Sequence, residues 1–130
     1  MSKALIYIVE DDPALGNLLL KILKLEGYER TTLFSDGKEC LNKLANKPDL
    51  VILDFSLETY NGLDVLKFIK SKQPRTKVVI YSSLASDTEL MQKCKDNGAL
   101  ACFDKNDEGR EELVKWMSKN LNKSILNIFK

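Results

Sequence analysis

Carboxylate side chains follow two separate apolar runs of this chain. Glu10 and Asp11 come directly after Ile6–Val9, and Asp54 comes directly after Leu50–Leu53. Four apolar residues in a row are typical of a strand that is buried on both faces of a parallel sheet. Acidic groups at the ends of such strands lie at the C-terminal edge of the sheet, where open α/β sheets bind ligands. If the two strands are neighbours, the three carboxylates converge on one small volume.

A cluster of this kind is electrostatically costly. Two unit charges about 4 Å apart repel by roughly 4 kcal/mol at an effective dielectric constant near 20. A protein tolerates the repulsion by binding a divalent cation or by keeping one carboxyl group protonated. Of these two explanations we expect the cation.

Two further polar residues stand at predicted strand ends. Ser82 follows the apolar run 78–81, and Lys105 follows the run 102–104. With the carboxylates they form a set suited to phosphoryl transfer, in which Asp54 is an oxygen nucleophile toward phosphorus. A Mg²⁺ ion held by Asp11, Asp54 and a backbone carbonyl would neutralise phosphate oxygens. The Lys105 ammonium and the Ser82 hydroxyl would each bind a phosphate oxygen.

The elements that must position these groups alternate along the chain. Strand-like runs begin near residues 4, 28, 50, 77 and 100, and each gap contains one helical segment. This alternation predicts an α/β fold with a parallel sheet between two layers of helices, a three-layer αβα sandwich. The second run, residues 29–34, has the mixed polarity of an edge strand. Asp12 and Pro13 predict the start of the first helix, whose apolar stripe is predicted to be core: Leu15, Leu18, Leu19, Ile22 and Leu23.

Four short motifs, in order and at matching spacing, resemble those of response-regulator receiver domains of two-component signalling. The similarity covers about residues 3–117 and includes an acidic pair, a phosphoacceptor segment, a hydroxyl residue followed by a small one, and a lysine after the last strand. The matching residues are Val9-Glu10-Asp11, Asp54 in the segment that runs to Asn61-Gly62, Ser82-Ser83, and Gly98-Ala99 through Lys105.

The resemblance implies a flavodoxin-like fold with strand order 2-1-3-4-5, an order for which a chemotaxis receiver is itself a standard example. It also implies roles for individual residues. Asp54 would accept phosphate from a phosphohistidine, and Ser82 and Lys105 would contact the phosphoryl group. Asp54, Asp11 and the backbone carbonyl of Ser56 would bind Mg²⁺, with Glu10 acting largely through water.

The resemblance also implies partners. The phosphate donor would be a sensor histidine kinase or a histidine phosphotransfer protein, and the output would be a protein partner that binds the face of helix 4, strand 5 and helix 5. Such a domain catalyses only its own phosphorylation and dephosphorylation, so we do not expect an enzyme that turns over a metabolite.

Three positions depart from the family pattern. Glu58 stands where a proline is usual, which predicts a looser and more acidic loop after Asp54. Asn106 follows Lys105 where proline is common. Cys102 occupies the position of an aromatic residue that swings inward on activation, so the output of this chain is expected to be read differently.

Composition and charge limit which kinds of protein function remain possible. The formal charge of +1 gives no general attraction to nucleic acid or to membranes. No apolar run approaches the roughly 20 residues that span a bilayer, and the N-terminus has no secretory pattern, so a cytoplasmic location is expected. The three cysteines are expected to be buried thiols. Histidine is absent, which removes His-ligated zinc and Ser-His or Cys-His catalysis.

Two alternatives remain open from the residues. The first is a receiver-like scaffold that binds partners without phosphate. The second is a flavodoxin-like cofactor protein or a metal-dependent phosphatase, although three consecutive acids after the first strand would repel a cofactor phosphate.

For domain organisation we expect a receiver at residues 1–117 without a separate effector domain. Residues 118–130 are expected to extend the last helix or to form a tail. A homodimer contact through this apolar tail is a hypothesis.

Overall fold

The computed structural model describes residues 2–54 and 62–121 of the chain. They form a five-stranded parallel sheet in the order β2-β1-β3-β4-β5. The strands are β1 Ile6–Val9, β2 Thr31–Phe34, β3 Leu50–Leu53, β4 Lys77–Ser82 and β5 Cys102–Asp104. This confirms the predicted fold class and strand order.

Burial of the strands follows their composition. Every residue of β1 and β3 is buried, as expected for central strands of a parallel sheet. In β2 only the first and last residues are buried, which confirms that this strand of mixed polarity lies at an edge. Val9 pairs in register with Leu53, so the residues after β1 and β3 leave the sheet at the same level.

In the described residues, four helices and one 3₁₀ turn lie between the strands, and a fifth helix follows β5. The helices are α1 Pro13–Leu25, α2 Gly37–Asn42, α3 Gly62–Lys72, α4 Thr88–Asp96 and α5 Asp107–Leu121, and the 3₁₀ turn is Leu44–Asn46. Aspartates cap three of the helices: the side chains of Asp12, Asp36 and Asp87 accept backbone N–H bonds from the first turns of α1, α2 and α4. Asp12 is therefore a capping residue, as its position before Pro13 predicts.

Two apolar layers sandwich the sheet. One joins the sheet to α2, α3 and α4, with Val65, Leu66 and Cys94 among its buried members. The other joins it to α1 and α5, with Leu23 and Leu113 fully buried. The arrangement is the predicted three-layer sandwich.

The apolar stripe predicted for the first helix is only partly core. Leu19 and Leu23 are buried, but Leu15 and Leu18 are 42% and 44% exposed. The helix packs on the sheet through Gly16 instead, where an ideal Cβ would lie 3.0 Å from the Leu33 side chain. This close approach centres the buried face on positions 16, 19 and 23 and leaves the two other leucines on its flank.

Helix α5 continues to Leu121, four residues beyond 117, and the rest of the segment that was predicted to extend the helix or form a tail, residues 122–130, lies outside the described part. Cys40 and Cys94 are buried thiols as predicted, whereas Cys102 is only partly buried. Within residues 2–54 and 62–121, every helix is too short or too polar to cross a bilayer.

Candidate functional site

Three charged side chains from different strand ends meet at the C-terminal edge of the sheet. Glu10 follows β1 and Asp54 follows β3, and both side chains are buried, with exposed fractions of 5% and 2%. The Lys105 ammonium, which follows β5, lies 2.5 Å from Glu10 Oε1 and donates a hydrogen bond of 2.7 Å to Asp54 Oδ2. The sheet order explains this meeting, because β1 and β3 are neighbours and their ends are level.

Backbone hydrogen bonds hold the two carboxylates in place. The Glu10 N–H donates to Phe34 O at 3.0 Å, and the Asp54 N–H donates to Val9 O at 3.1 Å. Each bond continues the hydrogen-bond pattern of the sheet one residue beyond the strand, so the backbones of Glu10 and Asp54 are held as rigidly as the sheet. The Asp12 N–H also donates to Glu10 Oε2 at 3.2 Å. The buried acids are therefore fixed before any ligand binds.

Burial and mutual contact shift the acid–base behaviour of this cluster. Burial, together with a hydrogen bond to Asp54, raises the pKa of Glu10 to about 7, although Lys105 acts against the rise. Burial by itself would lower the pKa of Lys105, but its hydrogen bonds to Asp54 and Glu10 outweigh burial and raise it. Lys105 therefore stays charged, and the Glu10 carboxyl group can take up a proton near neutral pH.

Asp11 completes the acidic cluster from the solvent side. Its side chain is exposed, and one carboxylate oxygen from each of Glu10, Asp11 and Asp54 lies within 4.8 Å of the other two. Oxygen ligands suit Mg²⁺, which lies about 2.1 Å from each ligand and so brings two ligand oxygens to at most about 4.2 Å apart. The cluster fits such an ion if it contracts slightly or if one carboxylate binds through water. With Lys105 present, three ionised carboxylates leave two negative charges, the charge that a divalent ion balances.

Ser82 lies on the neighbouring strand as its last residue. It is fully buried, and it pairs in register with Asp104 of β5. Its hydroxyl oxygen accepts the Leu84 N–H at 3.1 Å, which ties the start of the following loop to the strand end. The structure thus brings Glu10, Asp54 and Lys105 into direct contact with Asp11 beside them. It places Ser82 at the same edge, engaged with its own loop.

The loop that carries Lys105 is shaped by two residues whose role sequence reasoning missed. Asn106 Oδ1 accepts the Gly109 N–H at 2.7 Å, and Asn106 O accepts the Arg110 N–H at 2.9 Å, so Asn106 is the N-cap of α5. An asparagine just before an acidic first turn is the signal that predicts such a cap.

Gly109 sets how closely α5 approaches β5. An ideal Cβ at this position would lie 1.8 Å from Asp104 O, so any other residue would force the helix away. A glycine inside a helical pattern costs about 1 kcal/mol relative to alanine, and this cost is the sequence signal of a close approach. The cap and this contact together fix the backbone on both sides of Lys105.

Part of the predicted site lies outside the described residues. Ser56, whose backbone carbonyl was predicted as a metal ligand, belongs to residues 55–61, as do Glu58 and Asn61.

Comparison with known proteins adds a sequence relationship to this geometry. A family model described as the response regulator receiver domain matches residues 6–117. The chain belongs to the response regulator receiver domain family. Receiver domains are signalling domains of two-component systems, and response regulators interact with histidine kinases or phosphotransfer proteins.

Individual relatives support this membership. Sporulation initiation phosphotransferase F of Bacillus subtilis is 30% identical over 116 residues, which cover 86% of this chain and 92% of that protein. A receiver domain protein described as CheY-like, from Methanospirillum hungatei, superposes with a TM-score of 0.83 at 26% identity, covering 95% of this chain and 98% of that one.

Other relatives contain a receiver domain as one part of a longer protein. The transcriptional regulatory protein CssR of Bacillus subtilis is 37% identical over 84 residues, which cover 65% of this chain. The match spans 29–38% of the length of CssR and of two other curated regulators.

Proposed function

We propose that this receiver domain is a phosphoacceptor of a two-component phosphorelay. Asp54 takes a phosphoryl group from the phosphohistidine of a sensor kinase or histidine phosphotransfer protein, and the modified domain changes its protein contacts. The observation that carries the proposal is the buried triad in which Lys105 holds Asp54 and Glu10 at the C-terminal edge of the sheet.

The chemistry assigns one task to each side chain. A carboxylate oxygen of Asp54 attacks phosphorus, the P–N bond of the donor breaks, and its electron pair remains on the imidazole nitrogen. Lys105, which contacts Asp54 Oδ2 at 2.7 Å, balances the charge that the phosphoryl group brings into the pocket. The Ser82 hydroxyl donates to a phosphoryl oxygen once the strand-end loop adjusts. Hydrolysis of the acyl phosphate by water returns the free carboxylate.

The acidic cluster supplies the metal site. Asp11 and Asp54 would hold Mg²⁺ directly with the backbone carbonyl of Ser56, which lies outside the described residues, and Glu10 would act largely through water. When bound, the ion withdraws charge from the phosphate oxygens and favours attack by the carboxylate. The oxygen-only donor set of Glu10, Asp11 and Asp54 supports this assignment.

The test is phosphorylation by a small donor. Wild-type protein incubated with acetyl phosphate and Mg²⁺ should gain roughly 80 Da, the mass of one phosphoryl group, and Asp54→Asn should not. Chelation of the metal should stop the reaction. A wild-type protein that gains no mass with acetyl phosphate, nor with a phosphohistidine donor, would instead support a phosphorylation-independent scaffold.

The output is proposed to be a protein contact on the face of α4, β5 and α5. Phosphorylation replaces the single negative charge of the Asp54 carboxylate with a phosphoryl group that carries about −1.5 to −2, and contacts of that group with Lys105 and Ser82 differ between two loop states. Cys102 is the first residue of β5, the strand that belongs to this face, and it is only partly buried. Self-association through residues 118–130 stays a prediction, which sizing with and without acetyl phosphate would test.

A further inference from the structure

Tyr81 is a buried phenol directly beneath the acidic pocket. It precedes Ser82 in β4 and belongs to the apolar layer between the sheet and helices α1 and α5. It lines the tightly packed space below Glu10 and Asp54. A tyrosine at such a position needs a polar partner for its hydroxyl, because an unpaired buried hydroxyl is costly.

The partner is Arg110 of the first turn of α5. The Arg110 guanidinium interacts with the Tyr81 phenol and acts against the rise in pKa that burial causes there. Both side chains line a cleft of about 170 Å³ between α1 and α5, together with Lys105 and Asp107. Arg110 Nη2 also donates a 2.9 Å hydrogen bond to Asp107 Oδ1, which orients the guanidinium. The pair therefore links the core of β4 to the start of α5.

Lys105 is coupled to that link by the shortness of its loop. Only Lys105 and Asn106 separate the end of β5 at Asp104 from the start of α5 at Asp107. The Asn106 cap and the Gly109 contact hold the first turn of α5 against β5, and Arg110 of the same turn lines one cleft with Tyr81 of β4. A displacement of this turn must move the backbone of Lys105, because the connection has no slack.

We propose that Tyr81 and Arg110 form a positioning pair that sets the location of the Lys105 ammonium between Glu10 and Asp54. Neither side chain touches the phosphoryl group. Both act through Lys105, so the consequence for phosphorylation rests on the proposed function of Asp54. Because Tyr81 directly precedes Ser82, the pair also connects the end of β4 to α5. A movement of Ser82 could therefore be transmitted to α5 through this pair, although position 102 carries a cysteine and not the aromatic residue usual in the family.

The experiment compares variants that remove one polar group each. Tyr81→Phe deletes only the hydroxyl. Arg110→Gln removes the positively charged guanidinium group, whereas Arg110→Lys keeps a positive charge. Tyr7→Phe is the matched control, because the Tyr7 hydroxyl also donates a buried hydrogen bond, to Lys43 O at 2.8 Å, in the other apolar layer. Two quantities are measured: the initial rate of Asp54 phosphorylation by acetyl phosphate, and the ¹H–¹⁵N resonance of the Lys105 ammonium in lysine-labelled protein.

We expect Tyr81→Phe and Arg110→Gln to slow phosphorylation roughly three- to tenfold, the size of effect that loss of one polar side-chain interaction gives. The Lys105 resonance should shift in both variants and return toward its wild-type position in Arg110→Lys. Tyr7→Phe should leave the rate and the resonance as in the wild type.

The positioning role is refuted if Tyr81→Phe and Arg110→Gln leave the Lys105 resonance unmoved, or if Tyr7→Phe moves it equally. A wild-type protein that takes up no phosphate would refute the proposed function alone. In that case the Lys105 resonance would still test whether Tyr81 and Arg110 position the Lys105 ammonium.

Discussion

Lys105 is an internal counter-ion for two carboxylates that are otherwise nearly buried. The sequence predicts that Glu10, Asp54 and Lys105 share one edge of the sheet, because each follows a strand. It assigns Lys105 to a phosphate oxygen, and the direct contacts of Lys105 with both acids are visible only in the structure. Side-chain pairing of this kind depends on loop geometry that residue order does not fix.

Removal of this cation should expose the repulsion between the acids. In Lys105→Met the side-chain stem is retained but Glu10 and Asp54 lose their counter-ion, so we expect the free energy of unfolding in EDTA to fall by at least about 2 kcal/mol. Added Mg²⁺ should recover part of the loss. Urea denaturation measures both effects, and Lys115→Met, at an exposed site on α5, is the control. Equal stability of the two variants would contradict the counter-ion role.

Metal affinity should depend on pH through Glu10. Its carboxyl group has a raised pKa of about 7, and a divalent ion competes with the proton for it. Affinity is therefore full above pH 7 and falls as the pH drops through 7, by up to about tenfold per unit when the site requires the ionised form. Calorimetric titration of Mg²⁺ between pH 6 and 8 measures the slope. Glu10→Gln should flatten it, and an unchanged slope in that variant would assign the titration to another group.

At the scale of elements, the strands and helices follow patterns that the sequence shows plainly. Runs of buried apolar residues predict β1 and β3, and aspartate caps predict the starts of α1, α2 and α4. The orientation of α1 is predicted less well, since Gly16 makes the close approach to the sheet and Leu15 and Leu18 are partly exposed. Periodicity gives the width of an apolar face, whereas its rotation depends on which residue permits the closest approach.

Close approach also governs α5. Gly109→Ala should destabilise the fold although alanine favours helices by about 1 kcal/mol, because the new Cβ would meet the rigid backbone of Asp104. Gly16→Ala is the comparison, since its Cβ would meet the mobile ends of the Leu33 side chain at 3.0 and 3.1 Å. Thermal unfolding should show a larger loss for Gly109→Ala. A more stable Gly109→Ala protein would show that α5 can shift without cost.

At the scale of the whole molecule, binding energy at the acidic edge is shared with folding. A ligand that binds only the folded state stabilises it by about 2.7 kcal/mol when its concentration is 100 times its dissociation constant. In the described residues, Glu10, Asp11 and Asp54 directly follow the two central strands β1 and β3, whose side chains pack into both apolar layers. Metal binding should therefore raise the temperature of global unfolding.

Two adjacent aspartates separate this effect from helix capping. Asp11→Asn should fold normally in EDTA, because Asp11 is exposed, but should lose most of the rise in melting temperature that Mg²⁺ gives. Asp12→Asn should keep the rise, since asparagine caps helices as well as aspartate does. Differential scanning calorimetry with and without Mg²⁺ makes the comparison. An undiminished rise in Asp11→Asn would remove Asp11 from the metal site.

The two edge strands of the sheet, β2 and β5, are short, and edge length affects aggregation. β2 spans four residues and β5 three, and the isolated bridge between Ser2 and Tyr28 adds one pairing below β2. Long unpaired strand edges act as templates for intermolecular strand addition and amyloid growth. Edge strands this short offer few amide groups to an incoming chain, so we expect the sheet itself to resist fibrillar self-assembly when the protein is concentrated.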